Sequence, residues 1–138
     1  MLLAASAVAQ PKSAKRHPSD AEKIGISGSR SIRKELDDPE SFRVSTVRVI
    51  KQSPAARAEL GADYSVCVQG RAKNKMGGYV SLLGSALALM PHSDDQMFFA
   101  SVSEDGVGGY NLYCLDDDLG IDVTDAVKAA LKADRDKE

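Results

Sequence analysis

The sequence predicts an α+β fold, with an antiparallel sheet of four to five strands flanked by an N-terminal and a C-terminal helix. Apolar or small residues recur every fourth position from Ile24 to Leu36, which is typical of one helical face. Short runs rich in Val, Leu and Ser follow, separated by glycine or proline turns. A second amphipathic segment begins near Asp122. Short strands between two such helices indicate a sheet with one face covered and the other partly wet.

The first helix is expected to start at the capping residue Ser19 and to end before Asp38-Pro39, because proline cannot donate to the helix ladder. Gly25 and Gly28 lie inside it, and each weakens a helix by about 1 kcal/mol. The first half is therefore expected to fray.

Five strands are expected between the helices, spanning 42–51, 64–73, 79–89, 96–103 and 110–115. The apolar alternation slips between Val44 and Val47, which indicates a bulge or a strand buried on both faces. Residues 53–61 are interpreted as a connector with one helical turn. Residues 74–78 are expected to form a tight turn in which Gly77 and Gly78 are free to take positive φ.

The final helix is predicted to open at Asp122-Val-Thr-Asp125 and to place Val127 and Leu131 on its buried face. Lys128, Lys132 and Arg135 fall on the opposite face, which is interpreted as solvated. Asp134 occupies the position of the next apolar residue, so the last turn is expected to fray.

Composition argues against several function classes. The 138-residue chain has a net charge of −2, which provides no global basic field for nucleic acid, and it has no Trp for base stacking. Its two histidines, His17 and His92, are far apart in the sequence, so the chain has few residues from which to build a histidine-based catalytic triad or a histidine-rich metal site. The acidic run 116–118 lacks the EF-hand spacing. We therefore expect no catalytic residues, no metal, no cofactor and no enzyme.

The N-terminus is interpreted as an export signal. Residues 1–9 fit a signal-peptide remnant cut before Gln10, residues 10–19 a basic linker, and residues 20–138 a single α+β domain. The positive segment that normally precedes such a signal is missing, so either the true start lies upstream or this is an ordinary disordered terminus. The apolar run is too short for a transmembrane span. The predicted location is periplasmic or secreted.

Two cysteines, Cys67 and Cys114, fall on predicted strands. In an exported protein an isolated pair most often forms a disulfide, whereas in the cytosol two buried thiols would be the better interpretation. There is no Cys-x-x-Cys redox motif. Cys67 has the opposite strand parity from Val66 and Val68, so its sulfur is expected to face away from theirs.

The turn after the cysteine-bearing strand is the candidate binding site, because it could present backbone amides and two ammonium groups to a ligand. A hairpin turn with no ligand explains the same residues and stays open as the alternative. The predicted binding residues are Lys73, Asn74, Lys75, Gly77, Gly78 and Tyr79.

Two segments resemble a group of small uncharacterised bacterial envelope proteins. They are Leu36-Asp-Asp-Pro-Glu-Ser-Phe42 and Cys67-Val-Gln-Gly-Arg-Ala-Lys-Asn-Lys-Met-Gly-Gly-Tyr79, about a third of the chain. The chain departs from the group's pattern by inserting Val68-Gln69 before Gly70 and by carrying Ala72 where Asn is usual. The resemblance implies an exported protein and implies no particular activity.

The sequence thus favours a non-enzymatic binding module whose partner is a protein or an envelope component. The alternative is an inhibitor of a hydrolase such as a lysozyme or a protease, since a rigid loop on a disulfide-stapled sheet binds with little ordering cost.

Overall fold

The computed structural model of the chain describes residues 20–89, 98–104, 109–114 and 120–137. The predicted signal remnant, the linker and the cap at Ser19 lie outside these ranges. The elements in chain order are α1 (Asp20–Arg33), a 3-10 turn (Pro39–Ser41), β1 (Arg43–Lys51), α2 (Pro54–Leu60), β2 (Ala62–Lys73), β3 (Tyr79–Leu89), β4 (Phe98–Ser103), α3 (Gly109–Tyr113), β5 (Ile121–Asp122) and α4 (Thr124–Asp136).

The strands form one antiparallel sheet in the order β4-β3-β2-β1-β5, which confirms the predicted α+β class. Strands β1 to β4 follow one another as a meander, and β5 returns to pair with the other edge of β1. Helices α1 and α4 pack on one face of the sheet, which we call the inner face. The core between them contains Ile24, Ile32, Val44, Val47, Val49, Val66, Val68, Ala86, Val127 and Leu131.

Helix α1 is continuous from Asp20 through both of its glycines, so the expected fraying of its first half is wrong. The two glycines are buried because the helix lies very close to the sheet. A Cβ on Gly28 would stand 2.6 Å from Cγ2 of Val66, and one on Gly25 would stand 2.6 Å from Cγ2 of Val123. The absent side chains allow a close approach, and burial of the helix compensates for their low helix propensity.

The helix ends at Arg33, a turn earlier than expected. The amides of Glu35 and Leu36 then donate to the carbonyls of Ile32 and Arg33, which tightens the chain into 3-10 geometry. Leu36 still packs against the core from this turn, so its place in the apolar pattern is preserved without helix.

Strand β1 contains the predicted bulge. Its register against β2 shifts between Val44 and Thr46, which leaves Ser45 without a direct partner. The Ser45 hydroxyl donates to the carbonyl of Gln69 at 3.1 Å. Because of the extra residue, Val44 and Val47 are both buried in the core although their spacing is odd. The connector that follows is helical from Pro54 to Leu60, which is longer than the single turn predicted. Gly61 ends this helix with a φ of 68°, in the left-handed region.

The predicted strand at 110–115 is wrong, because α3 occupies this segment and the fifth strand is the two-residue β5. Helix α3 packs on the face of the sheet opposite to α1 and α4, which we call the outer face. Ser85 and Ser101 lie there, and a Cβ on Gly109 would collide with both of them. The small residues on each side therefore let the start of a helix sit directly on the strands, which no local pattern in the sequence indicates.

A disulfide joins Cys67 to Cys114, with an S–S distance of 2.07 Å and Cα atoms 5.9 Å apart, as predicted. Cys67 pairs with Ser85 across β2 and β3 on the outer face, the side opposite to Val66 and Val68. The bond fastens the residue after α3 to the middle strand of the sheet. The outer face is therefore partly covered, through a contact that closes 47 positions of chain.

Helix α4 extends to Asp136, so the expected fraying of its last turn is wrong. The reason is Asp134, whose carboxylate accepts hydrogen bonds from the Arg30 side chain of α1 at 2.8 and 3.1 Å. These hydrogen bonds, more than the Arg30 charge itself, lower the pKa of Asp134 below its ordinary value. The charged residue at the end of the apolar stripe is thus a bridge between the two helices.

Helix α4 opens where the sequence predicted. The Asp122 carboxylate accepts a hydrogen bond from the Thr124 amide at 2.9 Å. Hydrogen bonding from Thr124 lowers the pKa of Asp122, and the charge of Arg48 lowers it further. The Val47 amide donates a hydrogen bond to the Thr124 hydroxyl at 2.9 Å. This residue therefore ties the helix start to the edge of β1.

Candidate functional site

The turn between β2 and β3 is held by Asn74. Its side-chain oxygen accepts hydrogen bonds from the amides of Met76 at 2.9 Å and Gly78 at 3.2 Å. Its backbone amide donates to the Gly78 carbonyl, and its carbonyl accepts from Gly77. Gly77 has a φ of 87°, as predicted, whereas Gly78 does not take positive φ. One side chain therefore orders the whole loop.

The base of this hairpin is held by Ser41, which belongs to the 3-10 turn before β1. The buried Ser41 hydroxyl accepts a hydrogen bond from the Lys73 amide at 2.7 Å and donates to the Asp38 carbonyl at 2.7 Å. The Asp-Pro-Glu-Ser segment, which the sequence showed only as a helix stop, thus fixes the end of β2.

Tyr79 begins β3 and is 52% exposed. The Arg71 guanidinium carbon lies 5.4 Å from the centre of its ring and the Lys73 ammonium nitrogen lies 5.6 Å from it, both within cation–π distance. Met76 at the tip of the turn is 90% exposed. We call Arg71, Lys73, Lys75, Met76 and Tyr79 the hairpin face. It combines one aromatic ring, one apolar tip and three cations.

The structure assigns different tasks to the predicted binding residues. Lys73 and Tyr79 are in contact, and Lys75 is exposed on the turn between them. Asn74 and Gly77 shape the loop. Arg71 and Met76 were missed as site residues, although Arg71 is identifiable by its place two residues before Lys73, on the same side of the strand.

A second surface lies where the start of β1 meets α4. Five cationic side chains line two adjoining cavities of about 370 and 360 Å³, which share Arg43, Val44, Arg71 and Lys128. We call this surface the basic groove; its cations are Arg43, Arg71, Lys128, Lys132 and Arg135.

The sequence did not reveal this groove. Three cations of α4 recur at helical spacing: Lys128, Lys132 and Arg135. A helix face that is simply exposed to solvent shows the same pattern, so the spacing does not indicate a binding groove. Arg43 and Arg71 become neighbours only through the register of β1 against β2, in which they are direct partners. The signal that could have found it is the excess of cations on the exposed face of α4, close to the bulged strand.

Metal candidates find no support in the described ranges, where no three His, Cys, Asp or Glu side chains are grouped to hold an ion. His92 and the acidic run 116–118 lie outside the residues that the structure describes.

The chain matches no protein-family model, no curated protein and no solved structure. The resemblance to small envelope proteins stays a prediction based on the two segments named above. In the part of the chain that the structure describes, no helix has both the length and the apolar content needed to cross a membrane.

Proposed function

We propose that the protein is a non-enzymatic binding module of a bacterial cell envelope, periplasmic or secreted, and that it holds a protein or another envelope component on the hairpin face. The observation that carries this proposal is the arrangement around Tyr79. Two cations flank its ring, and Met76 projects beside it from a turn whose backbone is fixed by Asn74.

These residues suit an interface for physical reasons. Tyrosine, methionine and arginine are enriched where proteins meet: tyrosine and methionine offer a large apolar contact area, and arginine adds a planar group with several hydrogen-bond donors. Ordering a flexible loop on binding costs free energy, and the Asn74 hydrogen bonds have already ordered this one. Exposed methionine adapts its shape to a partner.

The disulfide supports a location outside the cytosol, because reducing compartments keep such pairs as thiols. The test is the intact mass of the protein from its native cells, measured with and without reductant. We expect a chain that lacks its first nine residues and gains mass on reduction. A chain that keeps its first ten residues and carries two titratable thiols would exclude export.

The binding surface is tested by site-specific photocrosslinking in the native envelope. A photoreactive residue at Met76 should capture a discrete partner, whereas one at Lys51, exposed at the far end of β1, should not. Tyr79→Ala combined with Lys75→Ala should abolish the Met76 adduct, and the control Lys23→Ala combined with Lys51→Ala should preserve it. Equal crosslinking from both positions, or an adduct that survives Tyr79→Ala, would exclude the hairpin face.

A second candidate, an inhibitor of a hydrolase, is favoured by the same ordered and projecting turn, since such a loop can enter an active-site cleft at low entropic cost. Inhibition assays against lysozymes and proteases separate the two. Inhibition that disappears in Met76→Ala would assign this role, and no inhibition across the panel would remove it.

A further inference from the structure

The basic groove concentrates positive charge in a protein whose net charge is −2. No aspartate or glutamate is among the described residues that line its two cavities. Lys132 has a partner, Asp136, at 2.9 Å, but both side chains are largely exposed and such a pair is weak. Lys128 and Arg135 are paired with none of the described carboxylates.

The two arginines of the groove are placed at the expense of local stability. Arg43 and Arg71 are direct partners across β1 and β2, and like charges in that position are destabilising. The Arg43 head is oriented as well, since its Nη1 donates to the carbonyls of Glu40 at 2.7 Å and Phe42 at 2.9 Å. Nη2 and Nε are not used in these bonds and can donate to a ligand.

The size of the groove suits a small ligand. Each cavity lies within the range that holds small molecules, and Val44 and Leu131 supply buried apolar walls. Ser45 and Ser81 line the second cavity, close to the bulge in β1. The guanidinium groups present forked donors that match the oxygens of a phosphate, and the lysines add compact point charges.

We propose that the basic groove binds a ligand that carries two phosphate groups. The five cations together with Asp136, which lies beside Lys132, carry a net charge of +4. Two phosphate monoesters carry about −1.5 to −2 each and balance that number. Arg43, Arg71 and Lys128, which line both cavities, hold one phosphate, and Lys132 and Arg135 hold the second. The ligand is either a soluble bisphosphate or the headgroup of a phosphorylated lipid.

The test uses the purified full chain and inorganic pyrophosphate as the soluble probe, with binding measured by calorimetry at physiological salt. Vesicles of phosphatidylcholine with and without a phosphatidylinositol bisphosphate, whose headgroup carries two phosphate monoesters, form the lipid arm. Lys128→Gln combined with Arg135→Gln should weaken binding at least about tenfold, since each substitution removes a charge-assisted contact. The matched control is Lys23→Gln combined with Lys51→Gln, which changes the net charge equally at exposed positions outside the groove and should bind within about twofold of the wild type.

Pyrophosphate binding that depends on the groove supports the soluble source, and groove-dependent binding only to vesicles that contain the bisphosphate lipid supports the lipid source. No binding in either arm, or equal losses in the groove and control variants, would overturn the proposal, as would tighter binding of a DNA oligonucleotide. Circular dichroism and urea midpoints verify that each variant is folded. Arg71 belongs to both the hairpin face and the groove, but the groove substitutions leave it unchanged. The Met76 crosslink should therefore survive them, so the two proposals can fail separately.

Discussion

The close contact between α1 and the sheet predicts that Gly28→Ala destabilises the protein, although alanine is the better helix former. The added methyl would stand 2.6 Å from Cγ2 of Val66 and 2.9 Å from its Cβ. Rotating the Val66 side chain moves Cγ2 but leaves Cβ in place, so the helix or the strand has to shift. Val66 is completely buried, and its surroundings are close-packed.

The sign of the stability change follows from comparing the gain in helix propensity with the cost of overpacking the core. Alanine in place of glycine stabilises a helix interior by about 1 kcal/mol. Forcing an extra methyl into a packed core costs about 1–3 kcal/mol, and the upper part of that range applies because a backbone must move. We therefore expect Gly28→Ala to lower the free energy of unfolding by about 1–2 kcal/mol. Val66→Ala alone should lower it by about 2 kcal/mol, through two buried methyl groups and the space that they leave.

The double variant is the informative measurement. With Val66 truncated, the contacts of the new methyl with both Cγ atoms are removed and only the 2.9 Å contact with Cβ remains, so part of the cost of the methyl is relieved. Urea unfolding followed by circular dichroism should show the double variant to be more stable than the sum of the two losses predicts, by about 1 kcal/mol. If Gly28→Ala is as stable as the wild type, or if the two losses add within about 0.5 kcal/mol, the argument from close approach is wrong.

Three further predictions concern the hairpin, the disulfide and the helix pair. Asn74→Ala removes both hydrogen bonds to the turn amides, so the free energy of unfolding should fall by about 1 kcal/mol and amide hydrogen exchange should accelerate at the turn. Unchanged exchange would contradict this role of Asn74. Replacing Cys67 and Cys114 by alanine should lower the free energy of unfolding, measured in urea, by up to about 4 kcal/mol. A loss well under about 1 kcal/mol would show that α3 stays packed on the sheet without the disulfide. The lowered pKa of Asp134 means that its pairing with Arg30 stabilises the fold above the ordinary value of 3.8 and is lost as pH falls through the folded-state pKa. Asp134→Asn should therefore be less stable by under about 1 kcal/mol at neutral pH and should lose less stability on acidification, whereas parallel pH profiles would contradict the pairing.

The fold could be predicted largely because its main elements carry local signals. The fourfold recurrence from Ile24 to Leu36 placed α1, and the broken alternation near Val44 placed the bulge. The paired glycines placed the β2–β3 turn, and the two cysteines were recognised as partners from their number and context. Each of these features depends on residues near one another in the chain or on the chemistry of a single residue type.

The candidate site could be predicted only in part for the same reason. The turn itself was found, but the clustering of Arg71 with Tyr79 required the pairing of two strands. The basic groove was missed because its cations come from two strands and a distant helix. No local pattern distinguishes a cation on α4 that faces water from one that faces a groove.

By itself, therefore, the sequence determined what short-range forces decide: periodic burial, turn formation and the availability of a thiol pair. Tertiary structure alone decided which weak local preferences were overruled. Gly25 and Gly28 sit inside a stable helix because a sheet lies against them, and residues 109–113 are helical because small serines let a helix start rest on the strands. The last turn of α4 is held in place because Arg30 of another helix donates a hydrogen bond to Asp134. In each case the deciding contact joins residues far apart in the chain, so a pattern read from neighbouring residues does not contain it.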